Sequence, residues 1–67
     1  MRQQMLAAMR QHAHGHIEKH KMNVEVYLTN PAGIGDHPDV FEAMEQEILE
    51  IAKYDDVLEM LDKYFEV

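Results

Sequence analysis

The sequence predicts an all-α fold: an antiparallel hairpin of two long helices that pairs with a second copy to form a four-helix bundle. Both prolines and two of the three glycines fall between residues 31 and 38, with a long proline-free segment on each side. Apolar residues recur at helical spacing along both segments. The chain has 67 residues and no cysteine, so it buries little apolar surface and lacks disulfides. A bound metal ion or self-association is therefore the expected source of additional stability.

The second half of the chain is predicted to form a helix from about residue 38 to 65. Asp36 or His37 is the expected N-cap, with Pro38 in the first turn. The predicted packing face consists of apolar residues three or four apart, namely Phe41, Met44, Ile48, Ile51, Tyr54, Leu58, Leu61 and Phe65. The steps from Ile48 to Ile51 and from Ile51 to Tyr54 are both three residues long, and together they shift this face around the helix. They predict either a continuous helix or one that is kinked near residues 53–56.

The first half is predicted to form a helix from about residue 3 to 29, followed by a loop at about 30–37. Its packing face spans roughly 100° of a helical wheel and comprises Leu6, Met9, Ala13, Ile17, His20, Val24, Tyr27 and Leu28. Asn30 is expected to end this helix in the left-handed conformation, and Pro31 cannot continue it. A β-strand at residues 24–28 is the alternative. The helix is preferred because a single strand would have no partner in this chain.

A second stripe runs along the first helix, about 150° from its packing face, and is called the seam below. Its residues alternate in steps of four and three, as in a heptad repeat. The seam consists of Met1, Met5, Ala8, His12, Gly15, Lys19, Met22 and Val26. Glycine within a helix costs about 1 kcal/mol relative to alanine, and close approach of a second helix would explain Gly15. The seam is therefore the predicted contact of a homodimer with the first helices in its middle.

The charge of the chain is unevenly distributed. The net charge is −7, but residues 1–33 carry +2 and residues 34–67 carry −9, with histidine counted as neutral. An acidic chain without a basic patch is not expected to bind nucleic acid directly. One alternative function is an acidic mimic of nucleic acid that binds a host protein through the carboxylates of the second helix. Otherwise the acidic half faces solvent or attracts the basic half.

Targeting segments are not expected. Charged residues interrupt every apolar run well before the roughly 20 residues that a membrane-spanning helix needs. The first residues show neither a long apolar core nor a small-residue cleavage site, so no signal peptide is predicted. A cytoplasmic protein without a membrane partner is the resulting expectation.

Four histidines lie close together in the segment HAHGHIEKH, from His12 to His20. His12, His16 and His20 are four residues apart, a spacing at which neighbouring rings can share a zinc or nickel ion. They are weak candidates for metal ligands, because the helical wheel spreads them from the seam to the packing face and no HExxH motif is present. Hydrogen bonds to acidic residues of the second helix are the main expectation. A metal-binding module and a contact that responds to pH near 6 are the alternatives.

Enzymatic activity and a bound cofactor are not expected. The chain has no serine or cysteine and a single threonine, so the usual nucleophiles of hydrolases are missing. The segment Gly33-Ile34-Gly35 precedes a helix, but the lysine, serine or threonine of a phosphate-binding loop does not follow it. The protein is therefore expected to act through self-association and protein–protein contacts.

The segment NVEVYLTNPAGIGDHPDVFEAMEQEILEIAKYDDVLEML, from Asn23 to Leu61, resembles short uncharacterised proteins encoded by T4-like marine cyanophages. The similarity rests on YLTNPAGIGDHPD, from Tyr27 to Asp39, followed by an acidic helix. The resemblance implies a viral origin, a location in the host cytoplasm and a small accessory or virion-associated role. It brings no activity, cofactor or site residue.

Overall fold

The computed structural model describes residues 1–30 and 39–66, which form two α-helices. Helix α1 spans Arg2–Thr29 and helix α2 spans Val40–Tyr64. The two helices pack against each other along their length. The predicted helical hairpin is therefore confirmed for this part of the chain.

The remaining predictions on secondary structure can be compared with these bounds. Residues 24–28 are helical, and the described residues contain no strand, so the choice of helix over strand is confirmed. Residues 53–56 are helical throughout, so α2 does not break there. The predicted loop lies, apart from Asn30, outside the described residues, as does the Gly33-Ile34-Gly35 segment.

The N-terminus of α2 differs from the prediction. The N-cap is Asp39, whose carboxylate Oδ1 accepts a hydrogen bond from the backbone N–H of Glu42 at 2.9 Å. The expectation of Asp36 or His37 as the cap is therefore wrong. Asp39 and Glu42 have the three-residue spacing of a capping box, and the acidic Glu42 also complements the positive end of the helix dipole. This spacing is the signal in the sequence that identifies the cap.

The C-terminus of α1 also differs from the prediction. Asn30 has φ −149° and ψ 68°, so it does not adopt the expected left-handed conformation, in which φ is positive. Its N–H still donates to the carbonyl of Val26 at 2.8 Å, and the Thr29 hydroxyl donates to the carbonyl of Glu25 at 2.8 Å. Asn30 precedes a proline, and a residue before proline is driven into the extended region by steric contact with the ring. The proline therefore overrides the preference of asparagine for a left-handed cap.

Ion pairs join the start of α1 to the end of α2, which shows that the two helices run antiparallel. The Arg10 guanidinium lies 2.8 Å from Asp62 and 2.7 Å from Glu66. The Arg2 guanidinium donates to the backbone carbonyl of Phe65 at 2.7 Å. The molecule is a rod of 46 × 17 × 16 Å, as expected for two long helices side by side.

The contact between the two helices is narrow. Ala13, Ala43 and Leu61 are the buried apolar residues among the described positions, and no large side chain there is fully buried. A hairpin gives each helix one neighbour, so it covers only a line of residues on each. Such a core is small for a 67-residue chain.

The packing faces predicted from periodicity are wider than this contact. Five residues placed on those faces are instead exposed, namely Met9, Leu28, Phe41, Ile48 and Phe65. The others are buried or partly buried as predicted: Leu6, Ala13, Ile17, His20, Val24, Tyr27, Met44, Ile51, Tyr54, Leu58 and Leu61. An apolar stripe of roughly 100° extends beyond the area that one neighbouring helix covers, and its edges stay in contact with solvent.

Charged residues lie on the outer surface of both helices. Lys21 pairs with Glu18, and Lys53 pairs with Glu50, each at 3.3 Å on the surface of a single helix. Such exposed pairs contribute little to stability. Within residues 1–30 and 39–66, neither helix has the length and apolar composition needed to cross a bilayer.

The close contact at Ala13 predicts that a larger side chain there destabilises the hairpin. Ala13→Leu is expected to lower the free energy of unfolding by about 1–3 kcal/mol, because Ala13 is 0% exposed and the added atoms would overpack the contact. Ala7→Leu is the matched control, since Ala7 is exposed on the same helix, and it should change stability by less than about 0.5 kcal/mol. Urea unfolding followed by circular dichroism measures both. Equal effects would contradict the described packing.

Candidate functional site

Three histidines of α1 and one tyrosine of α2 meet in the middle of the hairpin. The four-residue spacing of His12, His16 and His20 places their rings on successive turns, with centroids 4.6 Å and 6.0 Å apart. The Tyr54 ring stacks on His16 with centroids 4.2 Å apart and an interplanar angle of 8°. The centroid of the Tyr54 ring also lies 6.0 Å from that of His12 and 6.5 Å from that of His20. These four residues are called the histidine cluster below.

The position of each histidine on the helical wheel predicts its burial. His20 on the packing face is buried, His16 is partly buried and His12 on the seam is exposed. Their gathering around Tyr54 was not predicted, because periodicity identified Tyr54 only as an apolar residue of the packing face. The register between the two helices decides which residue of α2 stands opposite His16, and a helical wheel carries no information on that register.

A polar network surrounds His20 beside this cluster. Nδ1 of His20 is hydrogen bonded to Oε2 of Glu47, and the Asn23 side-chain amide donates to Oε1 of the same carboxylate at 3.1 Å. Both oxygens of this partly buried carboxylate therefore have partners, as a polar group removed from water requires. The expected hydrogen bond between a histidine and an acidic residue of the second helix is observed for His20.

His16 has a different environment. Its Nδ1 is buried and has no hydrogen-bond partner among the described residues. Burial of the ring lowers the pKa of His16 below the ordinary value of 6.5, and positive charge on His12, Lys19 and His20 lowers it further, while Glu50 acts in the opposite direction. The fold therefore favours the neutral form of His16.

The histidine cluster does not assemble a set of metal ligands within one chain. In residues 1–30 and 39–66, no group of three or more histidine, cysteine, aspartate or glutamate side chains is arranged to hold a metal ion. Nδ1 of His20 is already hydrogen bonded to Glu47, so this nitrogen is not free to bind a metal ion. What the cluster offers chemically is a group of titratable rings at the contact between the helices.

The seam lies on the exposed surface of α1. All eight of its residues are exposed, and Met1, Met5 and Met22 expose 87%, 65% and 67% of their surface. A Cβ atom added to Gly15 would have no neighbour within 4 Å. Packing of α1 on α2 therefore neither covers the seam nor explains its glycine.

Shallow concavities follow the seam. One of about 300 Å³ is lined by Gln11, His12, Gly15, His16 and Lys19. Another of about 440 Å³ is lined by Met5, Ala8, Met9 and His12. The exposed edge of the histidine cluster and the seam thus form one continuous surface, on which His12 belongs to both.

A further apolar groove lies beside the other end of the hairpin contact. It measures about 470 Å³ and is lined by the apolar side chains of Met22, Val24, Ile48 and Ile51, with charged side chains of Glu18, Lys21 and Glu25 at its rim. Sequence periodicity assigned Ile48 to the packing face and Met22 to the seam, so this groove was not predicted. It joins the uncovered part of the packing face to the seam at Met22.

The network around Glu47 predicts a specific loss of stability. Glu47→Ala leaves His20 and Asn23 without their partner and is expected to lower the free energy of unfolding by about 1–3 kcal/mol. Glu45→Ala is the matched control, because Glu45 is exposed on the same helix. Chemical unfolding at neutral pH measures the difference. Equal stability of the two variants would mean that the network does not hold the helices together.

The position of His16 predicts a pH dependence. Because its folded-state pKa is lowered, His16 contributes stability that is present above pH 6.5 and is lost as the pH falls through the folded-state value. His16→Phe keeps a ring against Tyr54 and removes the titration. Stability should therefore fall less between about pH 7.5 and pH 5 in His16→Phe than in the unmodified protein.

His14→Phe is the control for this experiment, since His14 is exposed and takes no part in the cluster. Unfolding is measured in urea at each pH. A decline in His16→Phe as steep as that in His14→Phe would contradict the described environment of His16.

Comparison with known proteins adds no further constraint. No protein-family model, curated protein or solved structure matches the chain. The functional argument therefore depends on two observations within this molecule. One is the histidine cluster at the contact between the helices, and the other is the uncovered seam beside it.

Proposed function

We propose that this protein is a non-enzymatic helical hairpin that acts through self-association and protein–protein contacts. Two copies pair through the seam to form a four-helix bundle with the α1 helices in its middle. One observation carries the proposal: the seam runs the length of α1, is rich in apolar side chains and is uncovered in the hairpin. Contiguous apolar patches of more than a few hundred Å² are rare on monomeric proteins and mark sites of interaction.

The energetics of a single hairpin support this proposal. Ordering the chain opposes folding by roughly 1–2 kcal/mol per residue in backbone entropy alone. The apolar surface buried between α1 and α2 is limited to a line of residues, without a fully buried large side chain in the described part. Burial of the methionines and Val26 of the seam would stabilise the dimer by about 25 cal/mol for each Å² of apolar surface removed from water.

Gly15 gives independent support for a close contact at the seam. The glycine weakens α1 by about 1 kcal/mol relative to alanine, and the space above it is empty in the hairpin. Nothing in the packing of α1 on α2 requires the missing side chain. Close approach of another helix backbone gives the glycine a role.

The distribution of charge favours pairing through α1 rather than α2. The seam contains no acidic residue, whereas α2 carries most of the carboxylates of the chain. Contact between two α2 helices would bring their negative charges together. Contact between two α1 helices keeps the carboxylates of α2 on the outside of the dimer.

The similarity of the middle of the chain to short cyanophage proteins supports a further element of this proposal. On this basis we propose that the dimer is a phage accessory or virion-associated protein that works in the host cytoplasm. Its protein partner would meet the outer, acidic surface of the four-helix bundle.

The proposal is tested by measuring mass in solution. Light scattering at micromolar concentration should give twice the 7.9 kDa mass of the chain, and the midpoint of thermal unfolding should rise with protein concentration. A monodisperse monomer that is fully helical would overturn the proposal.

Two alanines of α1 provide a matched pair of variants. Ala8→Lys adds a second positive charge to the seam, which already contains Lys19, and is expected to weaken association by at least tenfold, about 1.4 kcal/mol or more. Ala7→Lys adds the same charge to the same helix away from the seam and should leave the dimer intact. Loss of the dimer in both variants, or in neither, would argue against the seam as the interface.

A further inference from the structure

We infer that the two copies pack antiparallel along the seam, with His12 of each chain over Gly15 of the partner subunit. This inference rests on the proposed function, because it requires that the seam is the dimer interface. It adds the direction of the partner helix and its register, which the exposure of the seam alone leaves open.

The seam has a centre, halfway between His12 and Gly15. In an antiparallel pair centred there, every seam residue faces another seam residue. The facing pairs are Met1 with Val26, Met5 with Met22, Ala8 with Lys19 and His12 with Gly15. At 1.5 Å per residue, the contact would extend over about 38 Å, nearly the whole of α1.

Complementarity of size favours this direction. Each large side chain near the centre faces a small residue, because His12 stands over Gly15 of the partner subunit and Lys19 over the partner's Ala8. The space above Gly15 is empty, and a concavity of about 300 Å³ opens there to receive a ring. A parallel pair would set glycine against glycine and leave a void, whereas interfaces favour large residues against small ones.

Complementarity of charge favours the same direction. In a parallel pair, Lys19 would face Lys19 of the partner subunit across the interface, and these like charges would repel each other. In the antiparallel pair, the two lysines lie 11 residues apart along the axis, or about 16 Å. That separation exceeds the Debye length of about 8 Å at physiological ionic strength, so the repulsion is screened. The dipoles of the two α1 helices also oppose each other in this arrangement.

The positions of the methionines fit a crossing at the centre of the seam. Packed helices approach most closely where they cross and separate towards their ends. Gly15 and Ala8 lie near the centre, while Met5 and Met22 lie towards the ends and are exposed on the hairpin. Long, flexible methionine side chains fill the wider and less regular gap there.

Disulfide cross-linking tests the inference directly, because the chain contains no cysteine. Met5→Cys and Met22→Cys are prepared as two separate single variants. A disulfide needs Cα atoms within about 7 Å. In the antiparallel pair, position 5 faces position 22 of the other copy and lies about 25 Å from its own counterpart. An equimolar mixture of the two variants should therefore yield several-fold more cross-linked dimer on oxidation than either variant alone.

A second pair of variants and a control complete the experiment. Ala8→Cys and Lys19→Cys should repeat the result nearer the centre of the seam, where the helices approach most closely, so that the test survives a variant that fails to dimerise. Ala7→Cys mixed with Met22→Cys is the negative control, because Ala7 is exposed on α1 outside the seam. Each mixture is first reduced, and its mass is measured by light scattering.

Each outcome has a distinct meaning. Cross-linking in the mixtures but not in the single variants supports the antiparallel dimer. If the reduced protein is a dimer and each single variant cross-links when oxidised alone, the dimer is parallel. This result would overturn the inference and leave the proposed function unaffected. A dimer without cross-linking in either mixture also overturns the inference. A reduced protein that is monomeric overturns the proposed function itself.

Discussion

Two helices lying side by side can cover only one stripe of each other's surface, and this constraint governs the whole molecule. The apolar stripe of each helix is broader than the contact that a single neighbour provides. Residues at its edges, such as Ile48 and Phe65, consequently stay exposed although they follow the helical period. On α1 the mismatch is larger, because the seam is a second stripe that the hairpin does not use. The proposed association would remove this surface from water.

The middle of the hairpin contact contains polar as well as apolar side chains. Glu47 reaches α1, where His20 and Asn23 use both of its oxygens, and Tyr54 covers the face of His16. A buried polar network of this kind contributes less to stability than an apolar core of the same volume, but it disfavours registers in which a polar group loses its partner. Apolar contacts alone, such as those of Ala13 and Ala43, would allow the two helices to slide past one another. The polar network raises the free energy of such a shifted register.

Periodicity predicted the elements of the structure well and their mutual arrangement less well. The bounds of both helices and the helical state of residues 24–28 follow from local spacing and from the positions of proline, which act within a few residues. Asp39 as the cap of α2 was also encoded locally, through its spacing to Glu42, but competing candidates nearby concealed it. The stacking of Tyr54 on His16 depends on the register of α2 against α1. That register is fixed by contacts between residues distant in sequence, such as His20 and Glu47, which are 27 positions apart and which no local pattern contains.

The shared carboxylate of Glu47 has a consequence for the evolution of this chain. Three side chains, from two helices and distant in sequence, form one hydrogen-bonded unit in which each depends on the others. A change at Glu47 removes the partner of both His20 and Asn23, and a change at either of these leaves a carboxylate oxygen unpaired. Relatives of this protein should therefore vary at the three positions in a correlated manner, with apolar residues replacing the whole set at once. Covariation among these positions would record the hairpin register in the sequences of a family.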